Sequence, residues 1–279
     1  MCVAGDKSKL LIIGTKELKK RKLGNSLQTI LVDNKIVTET PSEKLLVIVL
    51  NNHLTWKEHL HGETWRPAGE NTQGLIPQLA QRVGILKRLS TITSSKRLRM
   101  IAAGLFYSKI SYCLSLFVST WGLDTYRESG TRFSSFTKED IRRLQVLQNK
   151  VARLLIGSKY TMKQKNINMS TEELLHKSGD LSVHQLGALQ TVVMTKKIIL
   201  SQKPSYLANR LQISQENGPG VGSTIKLRKT QLGISKEGFI YRGAKLFNML
   251  PLQLKEESNI SKFKKMAKSW IKSTIAVKP

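Results

Sequence analysis

Hydrophobic positions change their period along the chain. Up to about residue 60 they come in short runs: "KLLIIGT" at 9–15, "TILVDNKIVTET" at 29–40 and "EKLLVIVLNNHLTW" at 43–56. Runs of this length, rich in β-branched residues and closed by Gly or Asn, predict strands. Asp33-Asn34 between two such runs predicts a hairpin. The third run predicts a single strand ended by an Asn-Asn turn. Beyond residue 73 the period becomes helical. Leu75, Leu79, Val83, Leu86 and Leu89 share one face. Ser94 or Ser95 can cap a second helix with Leu98, Ile101, Leu105 and Tyr112 on its buried side. In "FTKEDIRRLQVLQNKVARLLIGSKY" at 136–160, Ile141, Leu144, Leu147, Val151, Leu154 and Leu155 fall on one face of a third. Thr137 suits its N-cap, Phe136 and Ile141 suit a hydrophobic staple, and Gly157 suits its end.

A long apolar helix follows within "LSVHQLGALQTVVMTKKIILSQKPSYL" at 181–207, closing near Pro204. "GFIYRGAKLFNMLPLQLKEES" reads as a packed segment broken by Pro251. A final amphipathic helix is predicted over about 259–275. The Gly- and polar-rich stretches at 61–74 and 215–224 read as a boundary loop and a flexible connector, and 124–135 reads as loop. The expected class is mainly α with an N-terminal β-rich (α+β) unit. Its expected divisions are 1–62, 73–203 and 225–276, with no internal repeat.

Charge changes the picture most. Among 279 residues, 46 Lys and Arg stand against 19 Asp and Glu, a net charge of +27. An excess of this size repels itself and is offset by a polyanion. Nucleic acid is the first candidate and an anionic membrane surface the second. A 40% hydrophobic content argues against a disordered chain. Cys2 and Cys113 are too few for a Cys-rich zinc site or a disulfide scaffold. No signal-peptide core is apparent, so an intracellular place, nuclear or cytoplasmic, is expected. The most membrane-like stretch, 101–122, carries Lys109 and reads as a buried helix running into a strand or turn.

Catalytic signatures are not found. "GPGVGSTIK" misplaces its lysine for a phosphate loop, and no G-x-S-x-G occurs. His53, His59 and His61 lie near Glu58 and Glu63, but without HExxH they read as loop histidines. Two-metal nucleotide chemistry needs clustered carboxylates. The sequence has no adjacent Asp pair, and Glu17, Asp33, Glu39 and Glu43 are scattered among lysines.

Several stretches resemble the C-terminal part of reverse transcriptases from LINE-type (jockey-like) non-LTR retrotransposons. "AGDKSKLLIIGT" is similar to the family's N-x-x-K-T strand, with Lys7 and Ser8 matching Lys and Thr and Ala4 in place of Asn. "KLLVIVLNNHLTWKEHL" resembles its primer-grip segment, matching at Leu45, Leu46, Leu54, Trp56 and His59. Val47 stands there where glycine is usual, which counts against a tight turn. "LQVLQNKVARLLIG" resembles LQ-x-x-QN-(K/R)-x-x-R, and the segments from 181 and 238 resemble distal parts of the family. The resemblance covers about 1–275. It implies the end of a palm followed by a helical thumb that holds template and primer. The catalytic aspartates and their Mg²⁺ would lie upstream of Met1. No cofactor, metal or catalytic residue is then expected in this chain, and nucleotide addition would need aspartates from another chain.

The expected nucleic-acid contacts are Lys7, Trp56 and His59 by resemblance, with Arg142, Arg143, Lys150 and Arg153 opposite the leucine face. Those four cations form either a solvated face or a phosphate-binding one, and the net charge favours the second. Trp56, Trp65 and Tyr107 are candidate stacking residues. No small-molecule site is evident. The alternative is a membrane-surface or partner-binding protein carried by the last helix. There Ile260, Phe263, Ala267, Trp270, Ile271 and Thr274 oppose Lys262, Lys265, Lys268 and Lys272.

Overall fold

The computed structural model describes residues 7–14, 16–24, 28–62, 73–117, 138–157, 169–215, 223–227 and 238–275. Within them the protein is mainly helical, with three two-stranded antiparallel hairpins. The expected cap and staple at Thr137 and Phe136, the 124–135 loop, Trp65 with its surrounding loop, and the centre of the 215–224 connector lie outside the described residues. The chain divides into two units, Met1–Gln78 and Leu79–Pro279.

In the first unit a helix that the sequence reading missed, α1 (Lys16–Leu23), precedes β1 (Thr29–Val32) and β2 (Lys35–Thr38). β1 and β2 pair from Thr29↔Thr38 to Val32↔Lys35. Asp33 and Asn34 between them have φ of 48° and 57°. Both residues tolerate this left-handed region, and such a two-residue turn follows the twist of the strands. Residues 9–13, expected as a strand, are irregular and make one parallel bridge, Leu10↔Glu39. The run at 43–56 is a second hairpin instead of one strand: β3 (Ser42–Leu45) and β4 (Ile48–Asn51). Its turn is Leu46-Val47, with φ of 47° and 81°. The tight turn is thus made with Val47 in it, in a conformation that a β-branched side chain resists.

A side-chain knot holds this hairpin to α2 (Lys57–His61). Asn51 Oδ1 accepts from the Thr55 N–H at 2.7 Å, and Asn51 Nδ2 donates to Glu58 Oε2 at 2.7 Å. Leu60, Ile48 and Val49 are buried beside it.

In the second unit, α3 (Leu75–Leu89, entering from the first) is followed by α4 (Ser95–Ala102). A wide π-helical turn, Ala103–Tyr107, leads on to α5 (Ser108–Ser111). Ala102, Phe106, Ile110 and, in α6 (Leu114–Phe117), Leu114 are all buried. Those are the residues of the most membrane-like stretch, and here they form core. No helix among the described residues is long and apolar enough to cross a membrane. Tyr112, expected on the buried side, is exposed because the chain turns at Tyr112–Cys113.

After α7 (Lys138–Ile156), α8 (Thr171–Ser178) and α9 (Val183–Ser201) each begin with a full capping box, Ser170 with Glu173 and Ser182 with Gln185. Next come α10 (Ser205–Ala208), the short pair β5 (Ile213–Gln215) and β6 (Ser223–Ile225), α11 (Phe239–Asn248), α12 (Leu252–Glu256) and α13 (Ile260–Thr274). α9 is central: Leu189, Val192 and Ile198 pack in one cluster with Leu246 and Phe247 of α11 and with Phe263, Ala267 and Ile271 of α13. A Cβ on Gly243 would stand 2.4 Å from Thr195 Oγ1, so the close approach of α9 and α11 needs glycine. The end of the expected 73–203 segment, from Leu181 on, thus packs in one cluster with residues of 225–276.

Candidate nucleic-acid interface

The leucine period of α7 is met. Ile141, Leu144, Leu147, Val151 and Leu155 are buried, Leu154 is half-buried, and Gly157 ends the helix with φ 94°. The buried face is wider than the leucines alone, because Gln145, Gln148 and Asn149 lie inside with them. Gln148 Nε2 donates to the Leu181 carbonyl at 2.6 Å, and Gln145 Oε1 accepts from the Val183 N–H at 3.0 Å. Gln145 Nε2 also donates to Gln148 Oε1 and Asn149 Oδ1, and Asn149 Nδ2 donates to Thr171 Oγ1. Buried amides are costly unless bonded, and here they bond to one another and to the segment joining α8 to α9. The polar letters of the LQ-x-x-QN stretch thus fasten the fold.

The opposite face of α7 holds the four expected cations, all exposed. They do not share one state. Arg142 donates to both oxygens of Glu139, from Nε at 2.7 Å and from a terminal nitrogen at 2.9 Å. Arg143 Nε reaches the same carboxylate at 3.1 Å. Hydrogen bonds from Arg142 and then Arg143 hold the Glu139 carboxyl down to about 2. Lys150 and Arg153 have no ion-pair partner among the described residues.

The expected contacts of the first unit divide. Lys7 is exposed, and Trp56 is half-buried at the start of α2. His59 is buried, with its Nδ1 facing the Val49 N–H at 3.5 Å. It therefore packs α2 on the hairpin, whereas Lys7, expected with it as a nucleic-acid contact, stands exposed. His53 Nδ1 donates to the Gly14 carbonyl at 2.8 Å, fixing the segment before α1.

Tyr107, a stacking candidate, is committed elsewhere. Its hydroxyl donates to Asp180 Oδ2 at 2.8 Å, its ring meets Phe106 edge-on, and Arg99 lies 3.9 Å from the other Asp180 oxygen. Burial first, then the Asp180 charge, push the Tyr107 phenol up, so it stays a donor.

Among the described residues Lys196, Arg242 and Lys255 are buried cations that escaped the sequence reading. Lys196 Nζ donates to the Lys255 carbonyl at 2.5 Å and lies 5.8 Å from the centre of the Phe263 ring. Burial pulls its ammonium down, opposed by Glu257. Arg242 donates to the Ser115 carbonyl at 2.8 Å. The signal for Lys196 was its place on the buried stripe of α9, four residues after Val192.

On α13, Phe263, Ala267 and Ile271 face the core, Trp270 is half-buried, and Thr274, expected on the apolar face, is exposed. Lys264, Lys265 and Lys268 are exposed, Lys262 pairs with Glu257, and Lys272 Nζ donates to the Gly179 carbonyl. The chain matches no protein-family model, no curated protein and no solved structure.

Proposed function

We propose that the helical unit binds the sugar–phosphate backbone of RNA or DNA without reading bases, as the resemblance to LINE-type reverse transcriptases implies for a thumb. The outer face of α7 carries this reading. Lys150 and Arg153 stand exposed on it with no ion-pair partner among the described residues, on a helix whose inner face is held by leucines and bonded amides. With Arg142 and Arg143 set against Glu139, the face keeps a net positive charge. Backbone contact needs only such charge in a fixed frame, whereas base readout would need donors and acceptors placed for one sequence.

By the same resemblance, nucleotide addition belongs to a palm whose paired aspartates this sequence does not contain. The purified chain is expected to add no nucleotide to a primed RNA template with Mg²⁺. Incorporation by contamination-free protein would overturn that part of the reading.

The membrane-surface alternative has less support. Of the side chains it would insert, Phe263 already fills the core and Trp270 is half-buried against it. The test of the proposal is the double variant Lys150→Gln, Arg153→Gln, measured against the parent by fluorescence anisotropy on two unrelated duplexes across a salt series. Two lost phosphate contacts make the slope of log affinity against log salt shallower by about 1.8, equally on both duplexes. An unchanged slope would leave these cations merely solvated, and a loss on one duplex only would mean base readout.

A further inference from the structure

We infer that the turn joining α3 to α4 is a second, separate contact for nucleic-acid phosphates. The inference rests on the reading that the helical unit binds nucleic acid, and it adds where the strongest contact lies. Between residues 71 and 123 the sequence has seven Lys and Arg and no Asp or Glu. Four of them crowd the turn: Lys87 and Arg88 in the last turn of α3, Lys96 and Arg97 in the first turn of α4. All four are exposed, and none has an ion-pair partner among the described residues.

The turn itself is well built. Ser90 Oγ donates to the Lys87 carbonyl at 2.6 Å and Thr91 Oγ1 to the Arg88 carbonyl at 2.8 Å, closing the end of α3. Leu86 and Leu98 root both arms in the core. The cations are therefore held on a firm frame, which lowers the ordering cost of a contact.

Lys87 and Arg88 suit the end of α3, but Lys96 and Arg97 are poorly placed for stability. They are neighbouring like charges at the start of α4, where the dipole opposes them and the first turn holds no acid. A broken local rule with no compensation among the described residues points to compensation from outside. Phosphate supplies it at Lys96 and Arg97, and Lys87 and Arg88 across the turn add to the same attraction. At the apex Ile92 is 80% exposed, an apolar tip sized for a sugar or base edge in a groove. One isoleucine is too little apolar surface for firm membrane attachment, since even a myristoyl chain binds only marginally. Duplex nucleic acid is accordingly the partner.

The experiment compares the full chain with Lys87→Gln, Arg88→Gln, Lys96→Gln, Arg97→Gln on a short RNA–DNA duplex across a salt series, with Lys150→Gln, Arg153→Gln alongside. The quadruple variant is expected to flatten the salt slope by about 3.6 units, four contacts at about 0.9 each. Its melting temperature is expected to stay level or rise. Each glutamine pair alone removes about half of that slope, which keeps the test valid should the quadruple variant fold poorly. A charge-preserving set, Lys87→Arg, Arg88→Lys, Lys96→Arg and Arg97→Lys, is expected to keep the parental slope. A quadruple variant with the parental slope, beside a flattened Lys150/Arg153 variant, would sink the inference and leave the α7 reading standing. A parent that ignores the duplex would sink both. A parent retained only by phosphatidylserine vesicles would assign the turn to membrane and likewise overturn the inference.

Discussion

Two basic surfaces of the helical unit, the outer face of α7 and the α3–α4 turn, each carry four exposed cations and treat them differently. On α7, Glu139 lies three and four residues before Arg142 and Arg143 and engages both. At the α3–α4 turn no carboxylate occurs in the surrounding sequence, and Lys87, Arg88, Lys96 and Arg97 have no ion-pair partner among the described residues. Both helices set cations in early turns, where the dipole is unfavourable, but only α7 supplies acids there. A surface that neutralises its own charge gains a little stability and gives up part of its attraction for a polyanion. Counting cations on a helical wheel misses this difference.

The largest expected effect tests both surfaces together. Neutralising Lys87, Arg88, Lys96, Arg97, Lys150 and Arg153 should flatten the salt slope by about five units and remove most of the affinity at moderate salt. A residual slope near the parental one would mean that binding resides elsewhere, for instance on the lysines of α13.

The next effect separates the two faces of α7. Gln148→Leu leaves the buried Leu181 carbonyl without its donor, and unfolding free energy is expected to fall by about 1–3 kcal/mol. The salt slope of the folded protein should not move. A changed slope with unchanged denaturant midpoint would reverse the assignment of inner face to stability and outer face to binding.

A smaller effect runs the opposite way. Glu139→Gln frees Arg142 and Arg143, so binding should tighten and the slope steepen by between one and two units. A weaker or unaltered affinity would show that the arginines never reach phosphate. The carboxyl of Glu139 is lowered, to about 2 from an unfolded value of about 4.3. Its pairing therefore favours the folded state fully above the unfolded value, and that contribution fades as pH falls toward 2. Between pH 7 and 5 the pair stays intact, so acidification over that range should not mimic Glu139→Gln. A titration of affinity in that window checks it.

The smallest effect lies in the other unit. Val47→Gly relieves a left-handed φ of 81°. Strain of about 1–3 kcal/mol is offset in part by the freedom glycine adds to the unfolded chain, about 0.5–1 kcal/mol, which leaves a net gain near 1 kcal/mol. Nucleic-acid binding should be unaltered. A loss of stability would show that the side chain, 46% exposed, makes contacts worth more than the strain.

These regions also mark where the sequence was legible. The Asp33-Asn34 turn could be read because both residues favour the backbone it requires. The Leu46-Val47 turn could not, because its residues argue against their own conformation and the packing of α2 on β4 sustains it. Helical faces followed from spacing, as Leu144 and Val151 show. Gln145 and Gln148 read as polar surface, and partners more than thirty residues away, added to the bonds between the amides themselves, make their burial favourable. The Glu139 pairing was visible in its three- and four-residue spacing, although the cations were read without it. The α3–α4 cluster went unread because its charges are split between two helices, each unremarked alone. His59 was assigned by resemblance, a warrant that says nothing about burial.

The most direct test of the account is the salt dependence of the unaltered chain on two duplexes of unrelated sequence. The six cations of the two surfaces that have no ion-pair partner among the described residues, at about 0.9 each, predict a slope near −5 on both. A slope shallower than about −2, or slopes that differ between the two duplexes, would contradict a backbone-binding, sequence-blind helical unit.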